Sequence, residues 1–448
     1  MVEGQSGDTQ VVEPAVINRA VGAAAIGNIT EWYDFGVYGY LATTIQKVFF
    51  TDLPASAGQI ATFGVFAVSF LIRPFGGLIF GPLGDRIGRK KVLSLTVILM
   101  ALGTFALGVI PSYGAIGLAA PILVLLARLV QGISTGGEYG NAMTFIAEYA
   151  PDRRRGFFGS WLEFGTLTGY AFGATIATVL SAVLSDQALL TWGWRIPFLL
   201  ALPLGAVGLY LRQRLEESPA YAQLQKTERE KESLGAELRS VFTKYWPAMV
   251  LCAGLVLTWN VANYMLTSYL PTYLTETLPA QHTGIGKTAS EILQIVVLVL
   301  LMVVITFVGR LSDKVGRKPV LLAGCLGLVV LSLPAVLLVR AGGNTSTFFG
   351  LLVMGLVLVL FSAILPSTLP ALFLTHVRAG GLSIAFNLSV SLFGGTTATV
   401  MSALVSGTGD LNWPAYYLMI AGVIGGVCVY FMRETARKPL PGSLPRDG

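Results

Sequence analysis

Long apolar stretches alternate with short polar ones along almost the whole chain. Apolar runs fall at about 18–46, 57–80, 90–110, 118–146, 156–184 and 194–211. After a polar stretch at 212–244 they resume at about 247–275, 290–309, 319–339, 347–373, 380–405 and 413–432. A bilayer span takes ~20 predominantly apolar residues, so the pattern predicts twelve transmembrane helices and an all-α membrane protein. Pro74, Pro366, Pro370 and Gly394 inside these runs do not argue against spans, because neighbouring helices in a bundle satisfy freed backbone groups. The rhythm divides the chain into a polar segment 1–17, a six-helix unit 18–211, a linker 212–244, a second six-helix unit 245–432 and a tail 433–448.

One polar stretch occurs twice. Residues 81–91 read Gly-Pro-Leu-Gly-Asp-Arg-Ile-Gly-Arg-Lys-Lys and residues 309–318 read Gly-Arg-Leu-Ser-Asp-Lys-Val-Gly-Arg-Lys. Asp85 aligns with Asp313, Gly88 with Gly316 and Arg89 with Arg317, each copy reading as a short basic turn between two apolar runs. Arg154-Arg155-Gly156 and Arg378-Ala379-Gly380 sit at nearly the same offset. Matching turns at matching places indicate an internal repeat of two bundles.

Composition agrees with this reading. The 448 residues are 54% hydrophobic and 12% charged, about half the usual charged fraction of soluble domains, and mean hydropathy is +0.70. The 52 glycines suit helices that must approach closely in lipid. Cys252, Cys325 and Cys428 all lie in apolar runs, without metal-ligand spacing. Residues 1–16 lack a basic region and a cleavage site, so the first span is expected to carry the targeting information. Twenty-four of the 30 Lys and Arg border one set of turns and three the other, with Arg73, Arg128 and Arg195 within or at the edge of spans. That bias predicts a multi-pass membrane protein with both termini and the repeated motif in the cytoplasm. The net charge of +6 is then a matter of topology, and no nucleic-acid partner is expected. The linker alternates in sign from Arg212 to Arg239 and reads as surface helix. Membrane lipids are the expected surroundings, and a functional monomer the expected state.

Ionisable groups inside a membrane are costly, so each is a functional candidate. They fall in the first half: Glu31, Asp34, Arg73, Arg128, Glu138 and Glu163. Four acids against two cations leave two excess negative charges, which bound protons would neutralise. Gly27, Glu31, Asp34 and Tyr38 share one helical face, as do Arg128, Gln131, Thr135 and Glu138. Two such stripes face each other or a shared cavity, either fixing helix packing or taking part in proton movement. Asn260, Asn263 and Thr267 form an uncharged polar face beside Trp259 and Tyr264, while Trp32, Tyr33 and Trp161 add aromatic surface. Aromatic faces attract ammonium groups, so this inventory suits a small zwitterion or quaternary amine. A di- or tricarboxylate would want more cations than Arg73 and Arg128. The same aromatics also serve as packing or interfacial anchors in many membrane helices.

Asp85, Arg86, Arg89, Asp313 and Arg317, with Gly81, Gly88 and Gly316 and the nearby Arg154 and Arg378, read as a gate of charges that pair in one conformation and part in another. The carboxylates are expected near helix starts, where negative charge is favourable. Gly286-Lys287-Thr288 is not a phosphate-binding loop, because Gln281 stands where the upstream glycine is needed. Two histidines and the absence of catalytic or metal-ligand spacing argue against an enzyme, and no cofactor or metal is expected beyond the proton as coupling ion.

The repeated Gly-x-x-x-Asp-Arg/Lys-x-Gly-Arg-Lys turn resembles the signature of the major facilitator superfamily. Residues 27–35 (Gly-Asn-Ile-Thr-Glu-Trp-Tyr-Asp-Phe), Ile72 to Gly77, and Gln131 to Tyr139 resemble its metabolite:proton symporter family. Glu148 to Arg153, Trp192 to Phe198, Lys244-Tyr245-Trp246, Pro414 to Met419 and Glu434-Thr435 are similar to the bacterial proline/glycine betaine:proton symporters. The resemblance runs from about Arg19 to Leu440. It implies twelve spans in two six-helix bundles with inverted repeats, alternating access around a midplane site, and proton-coupled uptake of osmoprotectants. Some osmosensing members carry a long C-terminal coiled coil; this sequence ends soon after Leu440, so osmotic activation does not carry over with the resemblance. The reading is a symporter of proline, glycine betaine or a similar zwitterion. Asp34, Glu31, Glu138 and Glu163 are its proton-coupling candidates, Arg128 or Arg73 holds the substrate carboxylate, and Tyr38, Asn260, Asn263 and the aromatics shape the rest. A shikimate, oxoglutarate or citrate type of organic-acid symporter is the alternative, ahead of a non-transporting sensor or a channel.

Overall fold

The computed structural model describes residues 10–11, 13–51, 55–214, 216–218, 220–221, 234–280 and 285–447. Most of the predicted 1–17 segment ahead of the first helix, and 215, 219 and 222–233 of the predicted linker, lie outside the described residues. Eleven helical stretches among the described residues are long and apolar enough to cross a bilayer. The first helix, Pro14–Tyr40, is made more polar by Glu31 and Asp34; it packs along the fifth span and makes the twelfth.

The remaining first-half spans are Ala55–Leu71 continued as Arg73–Ile87, then Arg89–Val109, Ala119–Tyr149, Arg155–Val183 and Arg195–Gln213. The second half begins with the short helix Leu234–Lys244 and the seventh span from Trp246–Tyr264. The eighth and ninth spans are Lys287–Val315 and Arg317–Arg340. The tenth starts with Asn344–Ser362, the eleventh with Arg378–Ser389, and the twelfth is Trp413–Phe431. Pro14, Pro74, Pro247 and Pro414 occupy first-turn positions, where the N–H they lack has no helical partner to lose.

Interior prolines and glycines leave marks that the apolar pattern does not reveal. The second span breaks before Pro74, and the tenth breaks before Pro366 and tightens into a 3-10 turn, Leu369–Leu372, at Pro370. The seventh passes through π-helical turns Met265–Tyr269 and Tyr273–Thr277, and the eleventh through Val390–Gly394, before resuming as Thr397–Thr408. Each remains one candidate span; the second, seventh and tenth rearrange where a proline removes a helical N–H, whereas the eleventh has no proline and its π-turn ends at Gly394.

The repeated stretch also differs from the expected turn. Helix continues through Ile87 and Val315, and the break is confined to Gly88 and Gly316, at φ +104° and +105°. A backbone in that region is open almost only to glycine. Asp85 and Asp313 therefore lie in the last turn of their own helices, contrary to the expectation that they open one.

The first span packs on the fifth, and the third on the fourth and sixth; the ninth packs on the tenth and twelfth, and the seventh on the twelfth. Between halves, the second span meets the eleventh and the fifth meets the eighth. Large apolar side chains such as Val183, Phe307, Leu326 and Phe431 point outwards, as a lipid-facing surface requires. At the end carrying the basic turns Gln10–Val11 pairs in parallel with Arg446–Asp447.

Candidate functional site

The six predicted intramembrane charges are all buried, and the structure adds a seventh. Asp34 of the first span and Arg128 of the fourth form an ion pair with no solvent access. The Arg128 guanidinium lies 3.9 Å from the centre of the Tyr38 ring, and Tyr38 donates its hydroxyl to the Thr62 carbonyl at 3.0 Å. Glu138 is paired at 2.5 Å with Arg212, which also donates to the Leu93 carbonyl. Arg212 was counted in the linker by sequence; it lies in the last turn of the sixth span and is only 2% exposed. Glu163 accepts hydrogen bonds from the Tyr139 hydroxyl and from Thr166, the latter at 3.0 Å.

Glu31 and Arg73 differ from these. Both carboxylate oxygens of Glu31, and Nε and Nη2 of Arg73, are buried without a hydrogen-bond partner among the described residues. Glu31 lies within electrostatic reach of Arg73, Glu138, Glu163 and Arg212. The Arg73 guanidinium rests on the faces of Phe35, at 5.0 Å, and Phe70, at 4.4 Å. Tyr264 of the second half lies beside it, its ring 5.4 Å from that of Phe70.

The uncharged candidates divide. Trp259 donates to Ser362 at 2.8 Å, and its ring stands 6.0 Å from Tyr139 and 5.9 Å from Phe386. Tyr139 and Phe386 stack across the seam between halves at 4.8 Å. Asn260 and Asn263 are buried beside Trp259, and Nδ2 of Asn260 and Nε1 of Trp32 have no hydrogen-bond partner among the described residues. Tyr33 and Trp161 go elsewhere: Tyr33 donates to the Pro197 carbonyl at 2.8 Å, and Trp161 packs half-buried on Phe157 and Phe164. Each lies two residues from a buried glutamate, Glu31 or Glu163, which on a helix turns it to the opposite face.

At the basic end the halves are clasped with two-fold symmetry. Asp85 accepts hydrogen bonds from the backbone N–H groups of Ala379, at 3.3 Å, and Gly380, at 2.7 Å, the first residues of the eleventh span. Asp313 accepts from Gly156 and Phe157, both at 2.8 Å, which open the fifth. Each carboxylate sits at the start of a helix in the other half, where its charge is favourable. Gly81 makes the close approach possible, since a Cβ there would come within 2.9 Å of Ser383.

The equivalence pairs Arg378 with Arg155, one residue beyond the predicted Arg154. Arg154 is exposed against Phe157 and Phe158, and Arg86 is half-buried with its carbonyl accepting from Tyr221. Arg155 is buried, pairing with Asp152 and donating to the Lys438 carbonyl at 3.0 Å. Arg89 and Arg378 converge on Glu148, at 3.3 and 2.6 Å, and Ser218 donates to the same carboxylate at 2.5 Å. Arg317 donates to the Ser367 carbonyl at 2.9 Å. Glu148 escaped the charge analysis because it lies at the edge of an apolar run, where an acid reads as loop.

The tail and the start of the linker extend the repeat. Glu217 accepts from the Lys90 N–H at 3.2 Å, and Glu434 from the N–H groups of Arg317 and Lys318 at 3.1 and 3.0 Å, each capping the helix that follows a motif glycine. Burial alone would raise the Glu434 carboxyl, but hydrogen bonds from the N–H groups of Ala436, Lys318, Arg317 and Thr435 hold it below the ordinary carboxylate value.

A family model described as "Sugar (and other) transporter" matches residues 20–241 and 222–442. The glycine betaine/proline/ectoine/pipecolic acid transporter OusA of Dickeya dadantii is 44% identical over 444 residues, 98% of this chain and 87% of that protein. The proline/betaine transporter of Salmonella typhimurium is 44% identical over 445 residues, 98% and 88% of the two chains. Among solved structures, the proton:xylose symporter XylE bound to 6-bromo-6-deoxy-D-glucose superposes with a TM-score of 0.78 at 18% identity, covering 96% of this chain and 98% of that one. The inward open conformation of XylE from E. coli gives 0.65, also at 18% identity, over 95% and 98%. The likeness gives the fold as two six-helix bundles.

Proposed function

We propose that this chain, which belongs to the sugar (and other) transporter family of the major facilitator superfamily, imports a small zwitterionic osmoprotectant of the proline or glycine betaine kind together with protons. The observation that carries the reading is the buried pair Arg73 and Glu31, neither of which forms an ion pair among the described residues, with Nε and Nη2 of Arg73 and both Glu31 carboxylate oxygens unsatisfied and Tyr264 hydrogen-bonded to Arg73. Arg128 and Arg212 already hold carboxylates, so Arg73 is the guanidinium available to a substrate carboxylate. Rings of Trp259, Tyr139 and Tyr264 near the seam offer an ammonium group the faces it favours. A di- or tricarboxylate would find one available cation for two or three charges, which favours the zwitterion over the organic acids.

In this reading the basic end faces the cytoplasm with both termini, and the clasp of Asp85 and Asp313 closes that face while the site is open or opening to the other side. Release inward requires both carboxylates to leave their helix starts. Protonation of Glu31 and Glu163, the two acids without a guanidinium partner, would couple that change to the proton gradient.

The test is uptake of labelled glycine betaine and proline by cells lacking their own osmoprotectant carriers, at low and high osmolality, with and without a protonophore. Protonophore-sensitive accumulation is expected. A well-expressed protein that accumulates neither compound, but does accumulate shikimate, oxoglutarate or citrate, would refute the substrate class.

A further inference from the structure

Arg212 enters the reading above only as a cation already occupied, and its setting assigns it more than that. It reaches from the last turn of the sixth span into the interior of its own bundle, where it meets Glu138 at 2.5 Å and the Leu93 carbonyl. Gly27 of the first span lies directly against the guanidinium, and a Cβ at that position would collide with Nη2. Its side chain is 2% exposed, and so is that of Glu138. A buried carboxylate in contact with a buried guanidinium stays ionised, because protonating it would strand the cation.

We propose that Arg212 is a positioning residue that holds Glu138 as a permanent carboxylate, removing it from the proton cycle and leaving Glu31 and Glu163 to share the transported proton. The inference rests on the proton-coupled zwitterion reading. It changes the charge inventory of the site from four acids against two cations to four against three: Glu31, Asp34, Glu138 and Glu163 with Arg73, Arg128 and Arg212. Two pairs cancel, and the remainder is a single negative charge. One proton neutralises it, and a zwitterion adds no net charge, so the loaded site crosses the membrane neutral. Burial of net charge in a bilayer is strongly unfavourable, which makes this balance a condition for the loaded protein to turn over.

The role separates from simple structural support by charge rescue. Arg212→Gln leaves Glu138 buried without its cation and should lower proton-coupled uptake by more than about a hundredfold. Adding Glu138→Gln removes the stranded charge and should recover at least ~tenfold, with the proton-to-substrate ratio of the wild type. Gly27→Ala reaches the same guanidinium without altering any ionisable group; its loss should not be relieved by Glu138→Gln alone, which strands the Arg212 cation, but should be relieved when Arg212→Gln and Glu138→Gln are added together. The ratio is read from the membrane potential at which substrate flux reverses in proteoliposomes. A double variant that reaches the membrane and exchanges substrate, yet no longer accumulates it, would make Glu138 itself a proton carrier and overturn the proposal. A double variant no better than Arg212→Gln would also overturn it. Wild-type protein without substrate-driven proton flux would bring down the functional reading as well, whereas a defect confined to the double variant would bring down the role of Arg212 alone.

Discussion

Asp313→Asn tests the clasp with a change of a single charge. The wild-type carboxylate receives two backbone hydrogen bonds of 2.8 Å from the opening turn of the fifth span. Hydrogen bonds to a charged group contribute ~1.5–3 kcal/mol each, and a charge at a helix start adds roughly 0.3–1 kcal/mol, more when partly buried. Asparagine keeps one carbonyl acceptor but turns an amide donor towards the other N–H and loses the charge. The expected loss is about 2 kcal/mol of preference for the closed basic end, roughly a thirtyfold shift in the equilibrium. Spin labels at the exposed positions Arg154 and Lys314, one in each half, report that equilibrium as a distance distribution. A second, longer population should grow in Asp313→Asn, and further in the double variant with Asp85→Asn, because the two contacts join different helix pairs. An unchanged distribution in a folded Asp313→Asn protein would refute the claim that this carboxylate holds the halves together.

Three further outcomes follow from the geometry. Arg73→Lys keeps the charge but loses the planar fork, and should raise KM for glycine betaine by ~10-fold or more with little change in expression; a wild-type KM would remove Arg73 from the substrate. Gly316→Ala places a Cβ 2.8 Å from the Glu434 carboxylate on a backbone at φ +105°, and should cost ~1–3 kcal/mol, visible as a lower midpoint of thermal unfolding in detergent. For Glu434 the folded value is depressed, so its contribution is complete above the ordinary carboxylate pKa of about 4.3 and is lost as pH falls through the folded value. The anisotropy of a dye at Ser443 should accordingly drop under acid, and Glu434→Gln should flatten that response.

The spans were legible because a bilayer imposes a length and a composition that any window along the chain detects. The helix breaks at Ile72 and Ala363 were not, since each proline is tolerated or not according to neighbours that only the bundle supplies. Among the charges, the polar stripes that carry Asp34 and Arg128 were legible from helical spacing, but their ion pair was not, because it depends on how the first and fourth spans meet. Arg212 was not legible either: it sits at a span end, in a run of basic residues, and its inward direction depends on the space left by Gly27. The repeat displayed Asp85 and Asp313 as equivalents but concealed what they cap. Each belongs by sequence to the end of one helix and by space to the start of another. The one-residue offset between Arg154 and Arg155 arose in the same way, because register between halves is set by which N–H groups meet the carboxylate.

The pairing of residues 10–11 with 446–447 at the basic face brings the start of the first bundle beside the end of the second. Gln10–Val11 lies beside Arg446–Asp447, and each half ends in its own capping glutamate, Glu217 or Glu434. The order in which the halves are synthesised is thus separable from the way they fit. A permuted gene that joins residue 447 to residue 10 through a flexible bridge, and begins between Tyr221 and Leu234, would encode the same pair of bundles with the second made first. Severing the chain there cuts none of the contacts found among the described residues.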